Sequence, residues 1–133
     1  MNRHPFLRAY MAGILLPTLM LLVILTALIV AHAFYRLPPA IERAIVFPMA
    51  VVPNLWGLWN VLYQARPRLP IGLHGALLPI LLVPCGMVLA AFFQLAFIPI
   101  RLALLFTPIA MAAYYLVWKH LVSFLNRTLG LRS

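Results

Sequence analysis

Aspartate is absent from this chain and glutamate occurs once, as Glu42, against ten lysines and arginines. So small a supply of acid removes the paired carboxylates of acid–base catalysis and the carboxylate clusters that hold divalent cations. Cysteine is single as well. Cys85 can form no internal disulfide or thiolate cluster, and its simplest role is that of a small apolar core residue. Serine is confined to Ser123 and Ser133, and no GxSxG, HExxH or phosphate-loop pattern occurs. His4, His32, His74 and His120 form no close sequence pair and none falls in the middle of an apolar run, so neither haem nor metal is expected. An enzyme is not expected, and no cofactor is implied.

What fills the chain instead is hydrocarbon. Apolar residues make up 66% of it and the mean hydropathy is +1.08. A helix that crosses a bilayer needs about 20 apolar residues at 1.5 Å rise. Four stretches meet that length, at about 9–34, 44–63, 71–93 and 102–118. The third and fourth are separated only by Gln94 to Arg101, where Pro99 and Arg101 mark a tight reversal. The runs are continuous, unlike the alternating segments of β-barrels. The expected fold is a single all-α membrane domain, a bundle of four transmembrane helices. In outline this resembles the small multidrug exporters, but those carry an acid within the first span, and here that span has none.

Lys and Arg near the span ends set orientation. Arg3, Arg8, Arg66, Arg68, Lys119, Arg127 and Arg132 fall on one side, and Arg36, Arg43 and Arg101 on the other. Seven against three puts both termini in the cytoplasm, with a bacterial cytoplasmic membrane as the expected location. Trp56, Trp59 and Tyr63 end the second span and Trp118 ends the fourth, at the inner interface where amphipathic rings settle. Ala31-His32-Ala33 resembles a signal-peptidase site, but the apolar run before it is far longer than a signal-peptide core. Residues 119–133 mix leucines with basic groups and are expected to form an amphipathic tail on the anionic cytoplasmic leaflet. The cations are spread over four membrane edges rather than gathered in a patch, so nucleic acid is not an expected partner.

Pro17, Pro48, Pro53, Pro79, Pro84 and Pro108 lie inside the apolar runs and should kink the helices. Their placement hints at a duplicated helical hairpin. Gly13-Ile-Leu-Leu-Pro17-Thr-Leu19 is echoed by Gly75-Ala-Leu-Leu-Pro79-Ile-Leu81, and Phe47-Pro48-Met-Ala50 by Thr107-Pro108-Ile-Ala110 at nearly the same offset. Such a pair would be related by an axis along the membrane normal. Leu- and Pro-rich composition also generates matches of this kind.

Few side chains remain as candidates for function. Glu42 follows Pro38-Pro39 at a helix start, where an acid suits the positive dipole end and the neighbouring Arg43 gives an ion pair. Asn54, Asn60 and Gln64 share one arc of the second span at about 100° per residue, where they would serve as interhelical bonds or face a solute. Gly86, Ala90 and Gln94 recur at four-residue intervals in the third span, a small-residue seam that lets backbones approach. The leading expectation is a non-catalytic accessory or assembly subunit that acts by packing against transmembrane helices, its own copies or other membrane subunits. The alternative is an oligomeric small-solute transporter or channel, in which a buried charge would be expected and is missing.

The charge count yields a direct test. A phosphatase fused to the C-terminus should be silent and a fluorescent protein fused there bright; the opposite pattern would reverse the orientation.

Overall fold

The computed structural model describes residues 4–35, 40–92 and 99–133, with side chains throughout those ranges except at 40–50. Every element among these residues is helical. Helix α1 (Pro5–Tyr35) places proline in its first turn, where a missing N–H costs nothing, and continues unbroken through Pro17 and Ala31-His32-Ala33. Helix α2 (Ala40–Ala65) turns back and packs along it. Pro67 and Pro70 in the connection that follows cannot continue a helix, and α3 (Ile71–Ala76) starts directly after Pro70.

The third apolar run, expected as one helix, is two. It breaks at Leu77 and resumes as α4 (Leu78–Phe92). Pro79 has no N–H to give the carbonyl of Gly75, and its ring crowds that carbonyl. The backbone tightens in response: Leu77 N–H donates to His74 O at 3.3 Å and Ile80 N–H to Leu77 O at 3.2 Å, both three-residue steps. Helix α5 (Ile100–Val117) begins after Pro99, whose carbonyl accepts from Leu102 and Ala103. It passes through a π turn (Trp118–Val122) into α6 (Ser123–Thr128). Gly130, at φ 65°, then closes the helix: Leu131 N–H returns to Asn126 O at 2.8 Å and Gly130 N–H to Arg127 O at 2.9 Å. That is a Schellman cap, and it needs a residue free to take the left-handed conformation.

Among the described residues three stretches are long and apolar enough to cross a membrane: Pro5–Tyr35, Ile71–Phe92 and Ile100–Thr128. The second expected span lies within α2. Its pairing of Glu42 with Arg43 involves side chains outside the described residues, as do Pro48 and Gln94.

Burial is concentrated at one end. There the start of α1, the end of α2, α3 and the π turn converge on Trp56, Tyr63, Ile71, Leu78, Trp118 and Val122. The tryptophans and Tyr63 read as an interfacial belt are therefore core: Trp56, Tyr63 and Trp118 are buried and Trp59 half-buried. The Trp56 and Trp118 rings pack at 5.5 Å, with Tyr114 at 5.0 Å from Trp56. Residues 119–133 also differ from the expected surface tail. Their apolar and amide face, Val122, Ser123 and Asn126, is buried in this core, and their charged face is outward. The buried face meets other helices of this chain: Asn126 bonds to Asn60 of α2, and the π turn packs on α3 and α1.

Glycines set how closely the helices approach. A Cβ on Gly13 would meet the Trp56 carbonyl oxygen at 2.6 Å, and one on Gly75 would meet Trp118 Cγ at 2.0 Å. Gly86, expected in a seam with Ala90 and Gln94, has no atom of the described residues within 4 Å of its Cβ position. Within this chain the close-packed glycines of the third run are Gly72 and Gly75. Away from the packed end, the candidate spans of α1 and α5 expose most of their apolar side chains.

These contacts predict opposite outcomes for two alanines. Gly75→Ala should lower the detergent melting stability by about 1–3 kcal/mol or more, as overpacking does. Gly86→Ala should leave it unchanged or raise it slightly, since a helix interior favours alanine.

Candidate functional site

The polar side chains of the packed end form three clasps between elements. At the centre are Asn60 of α2 and Asn126 of α6, both with no exposed surface. Asn60 Nδ2 donates to Asn126 Oδ1 at 2.8 Å and Asn126 Nδ2 donates back to Asn60 Oδ1 at 3.0 Å. Asn60 Nδ2 also donates to the carbonyl of Ala9 in α1 at 2.8 Å. An amide carries two N–H donors, so Asn60 spends both. Three helices are tied at one side chain. The π turn contributes here, because its wider winding brings Trp118, Val122 and Asn126, spaced by four residues, onto one face.

The second clasp joins α2 to α3. Trp59 Nε1 donates to His74 O at 2.8 Å, and His74 Nε2 donates to Trp59 O at 3.0 Å. A carbonyl can only accept, so His74 Nε2 carries a proton in this pair. The two rings stack at 4.8 Å, while Tyr63 and Trp118 flank His74 at 5.3 and 5.9 Å. His74 is thus walled by aromatics on three sides.

The third clasp is peripheral. Gln64 Nε2 donates to Arg132 O at 2.7 Å and Gln64 Oε1 accepts from Arg132 N–H at 3.2 Å. Near the α1–α2 crossing, Tyr10 donates its hydroxyl proton to Asn54 Oδ1. Thr26, Thr107 and Thr128 each return a hydroxyl to the carbonyl four residues earlier, so their polarity stays within their own helices. Two buried donors differ. Trp56 Nε1 and Trp118 Nε1 have no acceptor among the described residues. Each such donor costs about 1–3 kcal/mol of desolvation, which the burial of two large rings offsets.

The sequence candidates therefore separate. Asn60 and Gln64 both bond to the C-terminal stretch, Asn54 bonds to α1, and Gln94, like the Glu42 and Arg43 side chains, lies outside the described residues. Cys85 is free and half-buried on α4. Among the described residues no three His, Cys, Asp or Glu side chains gather as a metal site. Sequence reasoning did not find Asn126 or the role of His74. For Asn126 a signal existed: it continues the four-residue step of Trp118 and Val122. For His74 none did, because its partner is a backbone carbonyl. The chain matches no protein-family model, no curated protein and no solved structure.

What this arrangement does is hold helices in register. Asn60→Leu and Asn126→Leu should each destabilise, by about 1–3 kcal/mol, because each strands a buried amide. The double substitution should lose less than the sum of the two, and a double-mutant cycle on detergent unfolding would measure the coupling. Additive losses would mean that the amides do not share a bond.

Proposed function

We propose that this protein is a non-catalytic membrane subunit that acts by packing its transmembrane helices against partner helices, with both termini in the cytoplasm and the packed end at the cytoplasmic side of the membrane. One observation carries the reading. The buried amides and His74 bond to groups of the same chain, while among the described residues the apolar faces of α1, α4 and α5 beyond that core have little of this chain against them. In hydrocarbon, helices associate by close van der Waals contact at small residues. Gly86 and the half-buried Ala90 on α4 supply such a site in open space. Arg66, Arg68, Lys119, Arg127 and Arg132, all exposed at the packed end, suit anionic headgroups of the inner leaflet. The partner is another membrane subunit or a further copy of this chain.

The test is purification in mild detergent from the native host. A defined complex with other membrane proteins or a stable homo-oligomer is expected, and Gly86→Leu should weaken it while leaving the melting of the chain alone intact. A protein that runs alone, and whose solute flux in liposomes vanishes on Asn54→Leu, would replace this reading with transport.

A further inference from the structure

The sequence echo of Gly13–Leu19 in Gly75–Leu81 corresponds to an offset of 62 residues (75 − 13), and the same offset relates Trp56 to Trp118 (118 − 56). The structure puts this one number to several independent uses. The buried residues of α1 are Ala9, Ala12, Gly13 and Pro17. Sixty-two positions on stand Ile71, His74, Gly75 and Pro79, all buried. Between them the exposed positions also coincide: Met11 with Leu73, Leu15 with Leu77, Leu19 with Leu81. On the returning helices, buried Trp56 and Asn60 correspond to buried Trp118 and Val122, and exposed Leu58 and Leu62 to exposed His120 and Phe124.

Contacts obey the offset as well as burial. Gly13 is pressed against the backbone of Trp56, and Gly75 against the side chain of Trp118. Gly57 lies under the ring of Tyr10, and the equivalent contact joins Lys119 Cβ to Gly72, with the small residue moved to the other helix. Matched burial alone could arise from two hairpins that share an apolar stripe. Matched contacts at one offset on both helices favour the same hairpin built twice, with burial departing from it where Gly57 is buried and Lys119 exposed.

The relation between the halves follows from which residues meet. Trp56 and Trp118 are equivalents, and they touch each other. Under a two-fold rotation only residues near the axis contact their own equivalents, so the axis passes between these rings. Pairs away from the axis should then occur twice. Trp56 packs on Tyr114, and Val52, the equivalent of Tyr114, packs on the core that contains Trp118. Helix α2 touches α3, and α1 touches the π turn, which are again equivalent crossings.

We infer that the chain is two tandem copies of one helical hairpin, 5–65 and 71–128, and that the face centred on Trp56 and Trp118 is a recognition surface for a second hairpin of its own kind. The hydrogen-bonded clasps are later departures from this symmetry. The image of the Asn60–Asn126 bond would join Gln64 to Val122, and the image of Trp59–His74 would join Leu121 to Ala12, neither of which can form it. The apolar frame is shared, and the polar bonds distinguish one half from the other.

Spin-label distances in the full chain test this in lipid bilayers. In a Cys85→Ala background, label pairs are built from Leu15→Cys, Leu58→Cys, Leu77→Cys and His120→Cys, all at exposed positions. Duplication requires the pair 15 and 58 to give the same distance distribution as 77 and 120. The two-fold relation requires 15 and 120 to match 58 and 77. Coincidence in both comparisons is expected. A mismatch in the first overturns the duplication, and a mismatch in the second, with the first intact, overturns the recognition face. Neither outcome depends on which subunit the protein binds.

Discussion

The amide pair of Asn60 and Asn126 is the constraint from which the packed end is built. Contacts between apolar helices are weakly directional, and lipid tails compete with leucine on nearly equal terms. A hydrogen bond between buried amides is different, since a misplaced helix leaves both groups unsatisfied where no water can replace the partner. Because Asn60 also holds the Ala9 carbonyl, sliding α1, α2 or α6 by one residue breaks at least one of its bonds. Register is fixed by few atoms. Measured couplings for such bonds in membranes average only about 0.6 kcal/mol, so specificity rather than bulk stability is their main yield.

Around that centre the aromatic core supplies the area. Trp118 is fully enclosed because Gly72 and Gly75 have no side chains to keep α3 away from it, and because the π turn directs it inward. The His74–Trp59 clasp then closes the α2–α3 corner over the same rings. Prolines act in two ways here. Pro17 is absorbed without breaking α1, whereas Pro79 comes with a break two residues before it, at Leu77. The two glycines four residues before these prolines also differ in setting: Gly13 is held against the α2 backbone, while Gly75 faces an indole ring.

Much of this was visible in the sequence, and the rest was hidden for identifiable reasons. Run length and composition gave an all-helical chain with long apolar segments, because 3.6-residue winding leaves no other use for such runs. The shared arc of Asn60 and Gln64 was visible by helical phase. A tryptophan at a span end looks the same whether it faces headgroups or a neighbouring helix, so the burial of Trp56, Tyr63 and Trp118 is visible only in the structure. Asn126 was assigned to a surface tail because its stretch is amphipathic, and amphipathicity does not say whether the partner is lipid or protein. The π turn leaves no compositional mark, since it is imposed by the fit of Trp118 and Val122.

The distance along the chain between Asn60 and its partner has a consequence for biosynthesis. The two are 66 residues apart, and the ribosome makes Asn126 after α1, α2, α3 and the π turn that surround it. Until then α1 and α2 can pair through Gly13 and Gly57, yet Asn60 carries an amide oxygen with nothing to accept from. A nascent hairpin is thus left with an amide that has lost its partner. That amide is satisfied only when α6 docks, so the last helix completes the bonding of the first two.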